Sequence, residues 1–130
     1  MTTTLTIQQA AAATGLSIHT LRYYERIGLI DAIPRHHNSH RMYRMEDMVW
    51  IDFLLRLRAT GMNIQAMLRY AELRRMGTRL ESVSERKVML EQHMHALEAE
   101  ILAIQETVTI LRNKVTLYSS MESELKTRQL

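Results

Sequence analysis

The chain has 130 residues, of which 46% are hydrophobic and 24% are charged, and its formal net charge at neutral pH is +3. This size suits one compact domain with an appendage better than two full domains. The sequence contains no cysteine, which excludes disulfides, thiolate metal sites and redox sensing by thiols. No stretch has the pattern of a signal peptide or the length of a membrane span, so we expect a cytoplasmic protein that does not contact a membrane.

Two short helices are predicted at the start of the chain. The capping-box pattern at Thr6 and Gln9 predicts a helix over residues 7–14. Gly15 offers a left-handed end to this helix, and a second helix over residues 18–27 follows after a tight turn. Two short helices joined by a turn that contains glycine are typical of a helix-turn-helix.

One face of the second helix carries basic and aromatic residues and no acid. It consists of His19, Arg22, Tyr23 and Arg26, at positions i, i+3, i+4 and i+7. Most such faces are only solvated, but arginine binds guanine edges or phosphates and tyrosine binds phosphate oxygens. After a tight turn, this face predicts contact with the major groove of double-stranded DNA.

The segment after the second helix extends the basic character. Five arginines lie between positions 22 and 44, against only Glu25 and Asp31. A proline at position 34 favours an extended backbone, so residues 33–35 and 41–43 are predicted to pair as a small β-hairpin. The three histidines between these strands have no carboxylate or thiolate that would complete a metal site. We therefore expect a solvated or phosphate-contacting loop and no bound metal.

Helical periodicity returns from Met45. A third helix is predicted to stop at Gly61, and a fourth to run over residues 64–75 after the cap residue Asn63. The predicted packing face of the third helix is Met48, Ile51 or Asp52, Leu55 and Ala59, widened by Val49, Leu54 and Leu57. That of the fourth helix is Met67, Leu68 and Ala71.

A heptad seam dominates the C-terminal part. Its apolar residues alternate in steps of four and three: Leu90, Met94, Leu97, Ile101, Ile104, Val108, Leu111 and Val115. The pattern predicts one helix over about residues 81–118, about 57 Å long at 1.5 Å per residue. No other long helix could cover the seam, so we expect a homodimer. The domain division is thus 1–76 for a DNA-binding head, 77–118 for a dimerisation helix and 119–130 for a polar, frayed tail.

Three stretches resemble the MerR family of transcriptional regulators. They are LTIQQAAAATGLSIHTLRYYERIGLI (5–30), NSHRMYRMEDM (38–48) and LRATGMNIQAM (57–67). The resemblance implies an all-α fold with a small β-hairpin wing: a winged helix-turn-helix followed by a long antiparallel coiled-coil dimerisation helix. It also implies a dimer that binds a pseudo-palindromic promoter operator and distorts the spacer DNA, so that RNA polymerase can engage both promoter elements.

The resemblance assigns DNA contacts to individual residues. These are Thr20, Arg22, Tyr23 and Tyr24 in the second helix and Arg41 and Tyr43 in the wing, and Arg35 and His36 fit the basic character of the wing. One departure is Asn38-Ser39-His40, where the family commonly has Asn-Gly-Tyr. Without the glycine, the wing tip lacks the easiest route to positive φ.

A second departure concerns the effector. Arg56 stands where the aldehyde- or electrophile-responsive branch of the family has a cysteine, and a guanidinium is neither nucleophilic nor oxidisable. If an effector binds, we expect it near Arg56, Met62 and Met67, at the junction of the third helix, the fourth helix and the partner's long helix. The alternative is that these are ordinary core and surface residues.

Two functions remain open from the sequence alone. The first is a homodimeric DNA-binding regulator, and the second is a coiled-coil adaptor whose helical head binds protein. The sequence shows no nucleophile–base pair, no paired carboxylates and no glycine loop for phosphate, so we expect neither an enzyme nor a cofactor.

Overall fold

The computed structural model describes residues 4–31 and 42–130. In these ranges the elements are β1 (Thr4–Thr6), α1 (Ile7–Thr14), α2 (Ile18–Arg26), β2 (Met42–Arg44), α3 (Met45–Ala59), α4 (Ile64–Arg75) and α5 (Leu80–Arg128). This confirms the mainly helical fold with a small β-element and a long C-terminal helix. None of the described helices combines the length and the apolar content that a membrane span requires.

A two-stranded sheet joins the N-terminal residues to the start of α3. β1 and β2 are antiparallel, with Leu5 opposite Tyr43 and Thr6 opposite Met42. The sequence did not predict β1, because three residues are too few to show an alternating pattern. The predicted partner of β2, residues 33–35, lies outside the described residues.

Local capping fixes the first two helices as predicted. The backbone N–H of Gln9 donates to Thr6 Oγ1 at 3.2 Å, and the N–H of Thr6 donates to Gln9 Oε1 at 2.9 Å. Gly15 ends α1 with φ 76°, a left-handed conformation that a residue with a Cβ seldom adopts. The cap of α2 is Ser17, whose Oγ accepts from the N–H of Thr20 at 3.0 Å.

The head has one apolar core, to which all its elements contribute. Its fully buried side chains of large volume include Leu21, Leu29, Ile30, Tyr43, Ile51 and Leu54. The core fixes α2 by its inner face and by the residues just beyond its end. The outer face of α2 is therefore held on a rigid support.

The buried face of α3 differs from the predicted one. Its buried residues are Asp47, Trp50, Ile51, Leu54 and Leu57. Val49 is 65% exposed and Ala59 is also exposed, although both were predicted to pack. Trp50 shifts the face because its ring is buried and its Nε1–H donates to the carbonyl of Leu29 at 3.0 Å. A buried indole N–H needs a hydrogen-bond acceptor. This contact therefore decides which face of α3 is buried, rather than the helical period of apolar residues alone.

The first turns of α5 belong to the head. Ser82 is completely buried, and its Oγ–H donates to the carbonyl of Leu73 in α4. Met89 and Leu90 are partly buried against the core. The compact unit accordingly extends to Leu90, beyond the predicted boundary at residue 76. The assignment of domains by role stays a prediction.

The second unit, Glu91–Leu130, consists of the remainder of α5. The helix continues to Arg128, ten residues past the end that the heptad seam indicated and through the tail expected to fray. Ser119 and Ser120 do not interrupt it, because serine costs a helix interior only about 0.5 kcal/mol relative to alanine. Met121 and Leu125, both exposed, continue an apolar character into this stretch.

Candidate nucleic-acid interface

The outer face of α2 is a solvent-exposed basic and aromatic surface, as its periodicity predicted. His19, Arg22 and Arg26 are exposed, and Tyr23 is 42% exposed. Leu21, on the opposite side, is completely buried. A single helix therefore packs by one face and presents cations by the other.

The cations of this face are available to a ligand. Arg22 has no hydrogen bond or ion pair in the described part of the chain. Arg26 places its Cζ 5.5 Å from the ring centroid of Tyr23, a cation–π contact that orients both side chains and leaves the guanidinium donors open. An anionic, hydrogen-bond-accepting partner such as a nucleic acid matches this surface.

The start of α2 supplies a hydroxyl pair. Ser17 Oγ–H donates to Thr20 Oγ1 at 2.9 Å, and Thr20 is partly exposed. The N-terminus of a helix carries free backbone amides and partial positive charge, which suit a phosphate. Thr20 thus lies at the start of α2, and its contact with DNA stays a prediction.

The prediction for Tyr24 needs correction. Its side chain is only 5% exposed and belongs to the core, because it lies three residues after the buried Leu21 and shares its face. Its hydroxyl accepts a hydrogen bond from Arg58 Nη1 at 2.7 Å. The ring is therefore not part of the exposed face of α2, and Arg58 is the exposed group at this position, which sequence reasoning missed; a DNA contact by the Tyr24 hydroxyl stays a prediction.

The prediction for Tyr43 is corrected in the same way. Tyr43 is completely buried in β2, opposite Leu5, so it supports the sheet and does not present its ring to a groove. The other predicted wing residues, Arg35, His36 and Arg41, lie outside the described residues. Their roles stay predictions.

Arg44 closes the sheet onto α3. Its Nε and Nη2 donate to the two oxygens of Asp47 at 3.2 and 3.3 Å, and its backbone N–H donates to the same carboxylate at 2.8 Å. The side-chain hydrogen bond to Asp47 raises the pKa of Arg44. Since Asp47 is buried, this arginine serves as a structural anchor.

The segment just after α2 is fixed by α4. Arg75 Nε donates to Asp31 Oδ1 at 2.6 Å, and its Nη2 donates to the carbonyl of Gly28. Arg74 Nη1 lies 3.4 Å from the other oxygen of Asp31. Together with the Trp50–Leu29 contact, these bonds connect α3 and α4 to the C-terminal end of α2.

The predicted effector residues do not form a site in the head. Arg56 is exposed on α3 and pairs with Asp52, four residues earlier, at 3.4 Å. Met67 is buried in the core and Met62 packs against it. A cavity of about 540 Å³ does exist, but it opens between α3, α4 and the start of α5, and none of these three residues lines it. Met67 fills the core, the assignment of Arg56, Met62 and Met67 to an effector site that includes the partner's long helix stays a prediction, and no three acidic or histidine side chains of the described residues could hold a metal.

The heptad seam lies on an exposed helix. Beyond Leu90, the exposed seam residues are Met94, Ile101, Ile104, Val108, Leu111 and Val115, and Leu97 is partly exposed. A regular row of apolar side chains on one helix requires a partner surface, because monomeric proteins seldom expose contiguous apolar patches of this extent.

A core-supported helix-turn-helix with a free basic face, followed by a long helix, defines the class of helix-turn-helix regulators. Comparison with known proteins agrees: residues 6–43 match the family described as MerR family regulatory protein. The transcriptional regulator AdhR of Bacillus subtilis is 41% identical over 86 residues, which are 66% of this chain and 60% of AdhR.

Solved structures extend the similarity to nearly the whole chain. A protein from Listeria monocytogenes, assigned to the MerR family of transcriptional regulators, is 34% identical with a TM-score of 0.82, over 94% of each chain. HiNmlR, a MerR family regulator lacking the sensor domain and bound to promoter DNA, is 26% identical with a TM-score of 0.80, over 93% of this chain and 94% of that one. The present chain belongs to the MerR family of transcriptional regulators.

Proposed function

We propose that this MerR-family regulator binds a pseudo-palindromic operator in double-stranded promoter DNA as a homodimer and controls transcription by distorting the spacer. The observation that carries the proposal is the acid-free, exposed face of α2, held on a rigid core directly after a tight turn. The promoter DNA bound by HiNmlR, similar over most of both chains, supports the same use of this fold here.

Each residue of the α2 face has a distinct role in this proposal. The major groove is wide enough for one helix, and Arg22, which is free of intramolecular partners in the described residues, donates to guanine edges or phosphate. Tyr23 and Thr20 donate to phosphate oxygens, which fixes the helix in register. Arg26 adds positive charge beside Tyr23. Arg58 is a further phosphate contact, since it lies exposed next to the same helix.

The heptad seam of α5 supplies the dimer. Pairing two copies of α5 buries the apolar row from Met94 to Val115 and removes it from water. Two heads in one dimer then bind two half-sites, which is why the operator is expected to be pseudo-palindromic. The antiparallel arrangement is the one implied by the family.

Control of transcription follows from DNA deformation. A dimer that grips two half-sites at a fixed separation can bend and untwist the base pairs between them, at a cost that depends on the spacer sequence. In a promoter with an over-long spacer, this brings both promoter elements within reach of RNA polymerase. Such a protein acts where the promoter is, in the cytoplasm.

The experiment is selection of bound fragments from the source genome, followed by fluorescence anisotropy on the enriched sequence at several salt concentrations. We expect an inverted repeat, one dimer per site and an affinity that falls steeply with salt, since each neutralised phosphate contributes about −0.9 to the slope of log K against log salt. A protein-binding adaptor would give no enriched repeat and only weak binding to any duplex. That result would contradict the proposal.

A further inference from the structure

The head contains a cavity with an aromatic wall. It is a pocket that opens widely to solvent, and its volume is about 540 Å³, as large as many small-molecule sites, which range over about 300–1,000 Å³. Trp50 and Phe53 of α3 and Tyr70 of α4 form the wall. The Trp50 and Tyr70 rings are stacked, with centroids 5.8 Å apart and planes 9° apart, and the Phe53 centroid lies 5.9 Å from that of Tyr70. A flat apolar group can pack against such a wall.

Two arginines give the cavity a positive side. Arg74 places its Cζ 4.4 Å from the ring centroid of Trp50, and its carboxylate partner, Asp31, is shared with Arg75. Arg86 is held by two backbone carbonyls, those of Gly77 at 2.6 Å and Ser82 at 3.4 Å.

No carboxylate of the described residues lies within ion-pair distance of Arg86. The acid that lines the cavity, Glu46, is paired with Arg44 at 3.4 Å. The cavity thus has a guanidinium whose charge no acid balances, fixed by backbone carbonyls beside an aromatic wall. A carboxylate is the anion that this planar donor group matches best.

The walls of the cavity are bonded to the end of the DNA-facing helix. Trp50 donates to the carbonyl of Leu29 at 3.0 Å, and Arg74 contacts Asp31 at 3.4 Å. Leu29 and Asp31 lie in the segment just after α2, three and five residues past its last residue, Arg26. A ligand that moves the Trp50 ring or draws Arg74 from Asp31 would change the support of α2 by altering these two contacts.

We propose that this cavity binds a small aromatic carboxylate, and that binding changes the DNA affinity of the protein through the Trp50–Leu29 and Arg74–Asp31 contacts. The ligand's ring packs against Phe53, the one ring of the three that is partly exposed, and the carboxylate pairs with Arg86. Only the regulatory half rests on the proposed function, since ligand binding can be measured without DNA.

The test uses Trp50 as its reporter, because it is the only tryptophan of the chain. Phenylacetate is titrated into the full chain while tryptophan emission and calorimetric heat are recorded. The matched probes are phenylacetamide, which is neutral, and 2-phenylethylammonium, which is cationic. We expect saturable binding of phenylacetate at least about tenfold tighter than of either probe, because only the anion makes a charge-assisted pair with Arg86.

Variants locate the site. Arg86→Gln should weaken phenylacetate about tenfold or more, and Phe53→Leu should weaken it while keeping the apolar volume. Arg56→Gln is the matched control, because it removes an exposed arginine of α3 that does not line the cavity. Equal weakening by Arg56→Gln would overturn the location.

Absence of both heat and an emission change at millimolar phenylacetate would overturn the proposal. So would an emission change on dilution that phenylacetate does not affect, since this would indicate that a second copy fills the cavity. DNA anisotropy with saturating phenylacetate tests the regulatory half. An unchanged affinity would remove that half alone, and a protein that binds phenylacetate but no DNA would contradict the proposed function and leave the site intact.

Discussion

Replacing Arg22 by alanine should separate DNA binding from stability. The side chain is exposed and has no hydrogen bond or ion pair in the described part of the chain. Its removal is therefore expected to change the free energy of unfolding by less than about 0.5 kcal/mol, the usual range for a surface substitution. The fold should stay intact, so any loss of DNA binding comes from the interface.

The loss of DNA affinity expected for Arg22→Ala follows from the single contact that Arg22 makes with DNA in each head. A bidentate arginine–guanine pair is worth about 1–3 kcal/mol, which is about 5- to 150-fold in the dissociation constant. With two heads on one operator, Arg22→Ala should cost the dimer about twice this free energy if the two sites are independent. Anisotropy of a labelled operator gives the loss, and a panel of operators with single base changes shows where discrimination disappears.

The result also distinguishes the partner of Arg22. If Arg22 reads a base, the variant loses preference at one position of each half-site; if it contacts phosphate, all sequences weaken alike and the salt slope falls by about one per head. Arg56→Ala, which removes an exposed arginine of α3 that pairs with Asp52, is the control and should leave DNA binding unchanged. Unchanged affinity of the Arg22 variant would refute its assignment to the interface.

Three further predictions concern stability and assembly. Ser17→Ala removes the cap of α2 and should lower the free energy of unfolding by about 1 kcal/mol in a urea titration, whereas Ser17→Gly should cost only a few tenths. Ser82→Ala removes the hydroxyl donor to the Leu73 carbonyl, which keeps the N–H of Met76 at 3.0 Å, and should cost about 0.5–1.5 kcal/mol in the same titration; no change would show that the hydroxyl contact does not stabilise the fold. Ile104→Asp places a charge in the seam and should shift the protein from dimer to monomer by sedimentation, while Asn113→Asp, on the opposite side of the helix, should not.

The bounds and faces of α2 were predictable because its signals are local. The caps and the alternation of faces on α2 depend only on residues within one or two turns, and the structure confirms both. Tyr24 shows the limit of a family motif. The helical period of about 3.6 residues that exposes Tyr23 turns Tyr24 toward the core, so the period predicted the burial of Tyr24 better than the motif did. The exposure expected for Tyr43 was wrong for a related reason. Its burial depends on pairing with β1, and a strand of three residues is too short to be predicted from the sequence.

The cavity could not be predicted from the sequence. Its aromatic residues are spaced along two helices, and Tyr70 lies 17 positions after Phe53. They meet only because α3 and α4 pack together, and tertiary packing is not encoded in a helical period. Arg86 enters from a third helix, where the heptad pattern gave it no role. A search of the sequence for aromatic residues and arginines on neighbouring helices could have predicted that such a cavity exists, but not where it lies in the fold.

Thr6 has a practical consequence for anyone shortening this protein. It is both the last residue of β1, opposite Met42, and the cap whose oxygen accepts from Gln9 at 3.2 Å. Cutting the chain after it would release the sheet and uncap the first helix in one step. A trimmed form meant for crystallisation or display should therefore keep Thr4 onward, and a fusion partner is better attached at the other end.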